Sequence, residues 1–334
     1  MLSTDYIRRN KKVCPLSLLG TRDRTPMNRY ILLDFIRILA ISLLLTAHIG
    51  QTLNHPIGGF FFGIKGFYYV SLGGVAVTIF LVLSGMVLEL RYANKVEYST
   101  FVIKRILRLY PIYYLSIIFG IGLYLFRFYR DGNTFSEAVA QFTISDILLS
   151  ITGGYAFVGR WGGPFVATSW FVGLIMTLYL MYPSISSLVR RKPIFTIIAI
   201  FGCSVISRIL IGRFDILPNR PLDWFPLCRV FEFSIGIVLA NQIPDKFLRV
   251  FDKLHHPIVR TITFLSELSF PIFLIHYPIC FVINYIAARG VSKPLSIVFY
   301  ICLSGILSFI AMKIDNCFPR RQIVRGFLSS NRMA

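Results

Sequence analysis

Apolar segments close to the thickness of a lipid bilayer recur along the whole sequence, separated by short polar gaps. Hydrophobic residues make up 55% of the 334 residues and charged residues only 15%, and the mean hydropathy is +0.68. A water-soluble domain of this size needs a more polar surface. Because about twenty apolar residues cross a bilayer as a helix, the pattern predicts an all-α, polytopic transmembrane helix bundle.

We predict about eight spanning helices, and up to ten if neighbouring spans have been merged or short ones overlooked. The segment Phe142–Gly153 is apolar but short, which favours a re-entrant or interfacial helix over a full crossing. The predicted spans are 31–50, 68–90, a third that ends near residue 126, 169–188, 194–212, 225–241, 262–286 and 295–314.

The net charge of +20 is concentrated in the gaps between apolar segments. This placement is typical of a protein that orients in a membrane, and it argues against nucleic acid as a partner. Eight spans with both termini in the cytosol place four basic gaps on the cytosolic side, as expected for a multi-pass protein of the cell membrane. These gaps hold Lys104/Arg105, Arg190/Arg191/Lys192, Lys246/Arg249/Lys253 and Arg320/Arg321. A ninth crossing at 142–153 would move Arg190, Arg191 and Lys192 to the outside.

The polar ends of the chain delimit one long membrane domain. Residues 1–28 are basic and lack the apolar stretch of a signal peptide, so we expect a disordered cytosolic tail. Residues 29–316 form the transmembrane domain, and residues 317–334 form a second basic cytosolic tail. Because Met27 directly precedes the first span, the sequence leaves open whether Met1 or Met27 starts the protein.

The first span, LDFIRILAISLLLTAHIG, carries Asp34, Arg37 and His48. Arg37 and His48 are eleven residues apart, which places them within about 20° of one helix face and ~16 Å apart along the axis. Asp34 shares that face. Because a charge in hydrocarbon costs at least about 3 kcal/mol, this stripe must face protein or water. It suggests a polar cavity through much of the membrane; the alternative is an Asp34–Arg37 ion pair that anchors the helix at the cytosolic interface.

His48 is a candidate general base. A neutral imidazole, with an ordinary pKa near 6.5, can take a proton from a hydroxyl and activate it for attack on an acyl group. The resulting oxyanion would require a nearby cation or hydrogen-bond donor. Taken alone, however, a single histidine in a span is more often a packing residue with its hydrogen bonds satisfied.

The gap after the second span reads KRILRLYP, and its cations fall at helical spacing. Lys104 and Arg108 are four residues apart and Arg105 and Arg108 three apart, so they would share a helix face at the cytosolic surface. Such a face can bind phosphate groups. From this segment alone, membrane anchoring and contact with anionic lipid are favoured over phosphate binding.

Other polar residues in the spans have mainly structural interpretations. Arg229 and Glu232 are three residues apart in an apolar span and predict an internal ion pair. Ser84 and Gly85 predict either a close approach of two helices or a local break in one. Glu89 and Arg91 end the second span and are expected at the membrane interface. The six cysteines are scattered, which favours small buried apolar residues over disulfides or metal ligands, and no metal or bound cofactor is expected.

Six segments resemble, in order, motifs of the integral-membrane acyltransferase 3 family, which includes O-acetylating enzymes of bacterial surface polysaccharides. Each motif alone is unspecific, but six in the family's order are specific, and the resemblance covers about 28–314. The segments are LDFIRILA followed by His48, IFLVLSGM, KRILRLYPIYY, SWFVGLIMTLYLMYP, RVFEFSIG and LSFPIFLIHYPI.

The resemblance implies an acyl-CoA donor, most simply acetyl-CoA, bound from the cytosolic side. It also implies an acceptor hydroxyl on a cell-surface glycan or lipid-linked sugar. The roles implied for individual residues are His48 as catalytic base, Arg37 as its partner, Asp34 and His276 as supporting residues, and Lys104, Arg105 and Arg108 as acyl-CoA-binding residues.

One departure from the family concerns the fourth of these motifs. Many members carry a glutamate about three residues after a Trp-Ser-Leu step in this motif, whereas Trp170 is followed by FVGL, without an acid. This departure leaves the acceptor open, and the acyl chain and oligomeric state are open as well. Two other functions also remain: a transporter or flippase for a lipid-linked sugar, whose translocation path the stripe would line, and a non-catalytic membrane scaffold.

Overall fold

The computed structural model describes residues 29–54, 57, 61–64, 68–93, 97–132, 134–158, 162–214, 216–217 and 222–330. The predicted tail 1–28 lies outside these residues. The α-helices of the described chain are α1 Ile31–Thr52, α2 Leu72–Tyr92, α3 Tyr98–Arg130, α4 Phe135–Ala140, α5 Ile144–Thr152, α6 Trp170–Arg191, α7 Pro193–Phe214, α8 Pro226–Gln242, α9 Asp245–Leu248, α10 His256–Ala288, α11 Lys293–Asn316 and α12 Arg320–Ser330.

The prediction of an all-α polytopic bundle is confirmed. Among the described residues, seven helices are long and apolar enough to cross a membrane: α1, α2, α3, α6, α7, α10 and α11. The span predicted at 225–241 corresponds to α8, which has 17 residues, or about 25 Å of helix. Because α8 packs against α2, α6 and α7, it is an integral helix of the bundle.

The outer surface of the bundle is apolar. Ile194, Phe195 and Ile198 of α7 are 64–76% exposed, and Ile118 of α3 and Ile306 of α11 are also more than half exposed. Exposed apolar patches of this extent are unfavourable in water. They are the expected surface of helices that face lipid hydrocarbon.

The predicted cytosolic segments meet at one end of the bundle. The Tyr30 hydroxyl, at the start of α1, donates to Asp245 Oδ1 of α9 over 2.7 Å. Arg320, at the start of α12, donates through Nε to the Leu107 carbonyl oxygen of α3 over 2.7 Å. The predicted cytosolic gaps near residues 30, 104, 245 and 320 therefore share one side of the bundle, as the positive-inside rule predicts. Which side of the membrane this is remains a prediction.

Three boundaries differ from the prediction. Residues Tyr68–Ser71, predicted to begin the second span, form strand β2, which pairs antiparallel with β1, Phe61–Ile64. Ser71 then caps α2 by accepting a hydrogen bond from the Gly74 N–H. The KRILRLYP segment is not a loop but part of α3, because it contains good helix formers and its proline is tolerated inside a membrane-spanning helix. The predicted C-terminal tail contains α12.

The short apolar segment 142–153 forms α5, a helix of 9 residues, as its length predicts. Its last carbonyl groups have no partner within the helix, and three tyrosines near the middle of α3 satisfy them. Because α5 ends at that depth, a re-entrant placement fits better than an interfacial one. The hydrogen bonds run from Tyr110 to Thr152 O, from Tyr113 to Ser150 O and from Tyr114 to Ile151 O.

Helices α2 and α8 cross at two glycines, so the close approach rather than the local break predicted for Gly85 is confirmed. A Cβ atom on Gly85 would lie 2.0 Å from the Phe233 carbonyl oxygen, and one on Gly236 would lie 1.9 Å from the Val82 carbonyl oxygen. Both distances are far below van der Waals contact, so the two backbones can approach only because these side chains are absent.

We expect Gly236→Ala to destabilise the protein by more than about 2 kcal/mol, because α2 and α8 must move apart. The measurement is the melting temperature in detergent, followed by fluorescence-detected size exclusion. Gly202→Ala in α7 is the matched control, since a Cβ there meets nothing within 4 Å. If both variants melt like the wild type, the close crossing is contradicted.

Candidate functional site

Asp34 holds the beginning of the polar stripe. Its carboxylate is 1% exposed, and Oδ1 accepts hydrogen bonds from Arg37 Nη1 and from the Ser266 hydroxyl of α10, both over 2.7 Å. Its Oδ2 accepts from Arg29 Nε over 2.5 Å. The predicted Asp34–Arg37 pair therefore forms, and it also joins α1 to α10.

Four arginines from three helices converge beside this pair. Arg108 of α3 is exposed and lies within electrostatic range of Arg37 of α1, Arg91 of α2 and Arg105 of α3. Asp315, at the end of α11, is also in range of Arg108. We call Arg37, Arg91, Arg105 and Arg108 the arginine cluster. Because the four positive charges repel one another, an anion bound among their guanidinium groups would be strongly favoured.

The three cations of the KRILR segment have different environments. Arg105 is buried rather than at the surface as predicted; its Nη2 donates to the Tyr92 hydroxyl over 2.7 Å. Its guanidinium also lies 5.2–5.8 Å from the ring centroids of Tyr92, Phe101 and Tyr179. These aromatic rings fix Arg105 in place. Lys104 is exposed.

At the other end of α1, His48 lies against α10. Its ring centroid is 5.1 Å from those of His276 and Tyr277, and the Tyr277 ring is perpendicular to it. His48 Nδ1 is 3.0 Å from Gln51 Oε1. Because a carbonyl oxygen can only accept, this contact requires the proton on Nδ1. Nε2 of a neutral His48 then carries the lone pair, as a general base needs.

His276 is completely buried next to His48. Its Nδ1 is 2.9 Å from the Ile272 carbonyl oxygen, which fixes the proton on Nδ1 in the same way. Its Nε2 is buried without a hydrogen-bond partner among the described residues. We call His48 and His276 the imidazole pair. A buried acceptor without a partner is unfavourable, so a hydroxyl donor entering this site would be stabilised.

The arginine cluster and the imidazole pair are separated by an apolar layer. Ile41 and Leu44 lie on the same face of α1 as the stripe, between its two ends, and are buried with Phe171 and Phe273 in one core. The Phe171 and Phe273 ring centroids are 4.5 Å apart. The stripe is thus polar at both ends and apolar in the middle, unlike the continuous polar cavity predicted. Arg37 belongs to the arginine cluster at one end, about 16 Å along α1 from His48.

The space beside α6 three residues after Trp170 is filled by backbone. A Cβ on Gly173 would lie 2.2 Å from the carbonyl oxygen of Gly153, the turn that follows α5. Leu174 is completely buried. The re-entrant segment therefore occupies the space beyond Trp170, and this helix contributes no acid to the site.

Glu89 is buried rather than interfacial as predicted, because other helices supply its partners. Its carboxylate accepts hydrogen bonds from Tyr182, Ser186 and Arg190 of α6 and from Asn241 of α8. These contacts lock three helices together. The predicted Arg229–Glu232 pair is confirmed, with a distance of 3.1 Å between Nε and Oε1.

Four residues near the two polar ends were missed by sequence reasoning. They are Gln51, Arg91, Tyr179 and Tyr277. Gln51 follows His48 by three residues, a spacing that the helical periodicity could have identified. Arg91 and Tyr179 come from separate helices and carry no local signal. Among the described residues, no three His, Cys, Asp or Glu side chains are grouped to hold a metal ion.

Comparison with known proteins agrees with the resemblance. Residues 30–251, more than half of the chain, match the family model for an acyltransferase domain, acyltransferase 3. The chain is 25% identical over 189 residues to the acyltransferase MdmB of Streptomyces mycarofaciens, which covers 52% of this chain and 47% of that protein. It thus spans about half the length of this relative. No solved structure matches the chain.

Proposed function

The chain belongs to the acyltransferase 3 family of membrane acyltransferases, and on this premise we propose that it transfers an acyl group, most simply acetyl, from acyl-CoA to a hydroxyl of a cell-surface glycan or lipid-linked sugar. The observation that carries the proposal is the layout of α1. This helix contributes Arg37 to the arginine cluster at one end and His48 to the imidazole pair about 16 Å further along.

The layout suits an elongated donor with phosphates at one end and a reactive group at the other. Acyl-CoA has this form, since its phosphates and its thioester are joined by the pantetheine arm. The arginine cluster offers forked donors for the phosphates. The basic residues at that end favour a cytosolic orientation, where the donor would enter.

The imidazole pair supplies the proton transfers. His48 Nε2 takes the proton of the acceptor hydroxyl as the oxygen attacks the thioester carbonyl carbon. The tetrahedral intermediate then collapses, the carbon–sulfur bond breaks, and the CoA sulfur takes the proton back from His48. The acceptor leaves as an ester and His48 is neutral again. In this conformation Arg37 is positioned for the phosphates and not for the reacting carbonyl.

The apolar layer must open for the donor's arm to reach His48. The layer consists of Ile41, Leu44, Phe171 and Phe273, and all four are side chains that can change rotamer. A closed layer between the two polar ends also has a benefit, since it keeps water and ions from crossing the membrane and shields the thioester from hydrolysis.

We expect Arg108→Gln to weaken binding of acetyl-CoA about ten- to a hundredfold, because one charged hydrogen bond to phosphate contributes roughly 1.5–3 kcal/mol. The measurement is isothermal titration of the full chain in lipid nanodiscs with acetyl-CoA, at two salt concentrations. Higher salt should weaken binding to the wild type more than binding to the variant.

Lys104→Gln is the matched control, because Lys104 is an exposed cation of the same segment that does not belong to the arginine cluster. Equal losses in both variants would contradict a specific donor site. If acetyl-CoA does not bind to the wild type, the proposal fails. A transporter would then be favoured if deletion of the protein removed the glycan itself rather than its acyl groups.

A further inference from the structure

An aromatic stripe leads from His48 along α10, away from the arginine cluster. Tyr277, Phe281 and Tyr285 are four residues apart, so they share one face of the helix, and Arg289 continues the same spacing. Tyr277 meets the His48 ring edge-on at 5.1 Å. From Tyr277 to Arg289 the stripe extends ~18 Å along the helix axis.

Three arginines are stacked on the outer part of this stripe. The guanidinium carbon of Arg127 lies 4.7 Å from the Phe281 ring centroid, and that of Arg130 lies 4.9 Å from the Tyr285 centroid. Arg289 approaches the Tyr285 ring to 3.9 Å. We call Arg127, Arg130 and Arg289, with these two rings, the arginine–aromatic ladder. It joins the end of α3 to the end of α10.

The ladder carries an excess of positive charge. Asp131 accepts a hydrogen bond from Arg130 over 2.7 Å and lies 4.0 Å from Arg127, so one carboxylate serves two guanidiniums. Arg289 contacts the Tyr285 ring. Stacking leaves the edges of a guanidinium, where its N–H donors are, open to a ligand. Arg127, Arg130 and Phe281 are all more than one-third exposed, so the ladder is accessible.

We propose that the ladder binds an anionic group, a phosphate or a carboxylate, that the acceptor carries about 6–18 Å from the hydroxyl that receives the acyl group. This inference rests on the proposed function and specifies its acceptor. The aromatic rings of the stripe offer faces on which sugar rings can lie, between the imidazole pair and the ladder. The acceptor is therefore a charged sugar compound rather than a neutral one.

The continuity of the stripe favours an acceptor over a bilayer lipid. A lipid headgroup could bind to the guanidinium groups, but it would make no contact with the aromatic stripe that continues to His48. Arg213, at the end of α7, shows the contrast: it is exposed at the same end of the bundle, and among the described residues no aromatic ring is stacked on it. The arginines of the ladder are instead ordered against rings on a second helix.

The test compares the full chain with the triple variant Arg127→Gln, Arg130→Gln, Arg289→Gln in phosphatidylcholine nanodiscs. Three probes are titrated: a polyprenyl-diphosphate-linked neutral disaccharide, a soluble disaccharide ending in glucuronic acid, and phosphatidylglycerol. We expect the triple variant to bind one of the two sugar probes at least about tenfold more weakly, with phosphatidylglycerol unaffected. The single variant Arg289→Gln should show part of this loss, and the matched control Arg213→Gln none.

A loss with the diphosphate probe identifies the anion as the phosphate of a lipid-linked acceptor, and a loss with the glucuronic acid probe identifies it as a sugar carboxylate. Equal binding of both sugar probes to all variants overturns the proposal. An equal loss with phosphatidylglycerol also overturns it, because the ladder would then be a lipid anchor.

Acetyl-CoA binding is measured in parallel. It should be unchanged in the triple variant, which shows that the variant is folded. Its absence in every variant refutes the proposed function but not the anion site.

Discussion

Replacing His48 with alanine is expected to lower acyl transfer by about a hundredfold to ten-thousandfold, the usual contribution of a general base. The variant removes the ring whose Nε2 carries the lone pair, while Asp34 and the arginine cluster, about 16 Å away, are untouched. Acetyl-CoA binding should therefore be unchanged. The measurement is the incorporation of labelled acetyl groups from acetyl-CoA into the glycan fraction of membranes.

His256→Ala is the control for this variant, since His256 is an exposed histidine at the start of α10, far along the helix from His276. It should transfer acetyl groups like the wild type. A His48→Ala protein that inserts normally and still turns over would show that His48 is a packing residue. Loss of both transfer and donor binding would instead indicate a folding defect, which the melting temperature would reveal.

The architecture could be predicted because apolar segments as long as the bilayer is thick indicate membrane-spanning helices. Runs of apolar residues at the right length identified all the major helices, and the charged gaps identified which of their ends meet. The ends of the helices were harder to predict where hydropathy or charge indicated one structure and local backbone preference another. Tyr68–Ser71 is apolar enough for a span but pairs as a strand, and KRILRLYP is charged enough for a loop but continues α3.

The two ends of the site were predictable and the connection between them was not. Helical periodicity placed Arg37 and His48 on one face of α1, and they are on that face. The same periodicity places Ile41 and Leu44 there, but whether those side chains border a passage or a core depends on α6 and α10, which supply Phe171 and Phe273. The spacing of residues within one helix does not predict which residues of another helix they contact.

Burial of charge was the least predictable property. Glu89 and Arg105 both lie near helix ends and were expected at the surface, yet both are buried. Each is tolerated because partners from other helices satisfy it, including Arg190 for Glu89 and Tyr92 for Arg105. A sequence shows that a residue is ionisable, but its partners appear only when the helices are assembled.

The family match also shows how the site is divided along the chain. Residues 30–251 contain the arginine cluster and His48, whereas His276 and Tyr277 lie beyond the matched part. The arginine–aromatic ladder draws on both parts of the chain: Arg127 lies inside the matched residues and Arg289 lies beyond them. If the matched part serves the donor, as the arginine cluster suggests, then α10 is where differences in acceptor can be accommodated without altering donor binding.

The largest expected effect on stability comes from Glu232→Leu in α8. Arg229 is 1% exposed and, besides Glu232, donates to the Thr78 hydroxyl of α2 over 2.9 Å. Without Glu232 its guanidinium would be a buried, uncompensated charge inside an apolar span. Removing one partner of a buried pair costs about 3–5 kcal/mol, so we expect little folded protein. The measurement is the yield and melting temperature of the full chain in detergent.

The double variant Arg229→Met, Glu232→Leu shows whether the Arg229–Glu232 ion pair only stabilises the fold, as a structural lock, or also takes part in acyl transfer. Replacing both charges by apolar residues of similar size removes the uncompensated charge, and such replacements are often neutral or stabilising. If the pair only locks the bundle, the double variant should recover the folded yield and transfer acetyl groups like the wild type. A double variant that folds and binds acetyl-CoA but transfers no acetyl groups would contradict the lock, because the pair would then contact the reactants. If the double variant remains as unstable as Glu232→Leu alone, packing around α8 rather than charge compensation determines stability at this position.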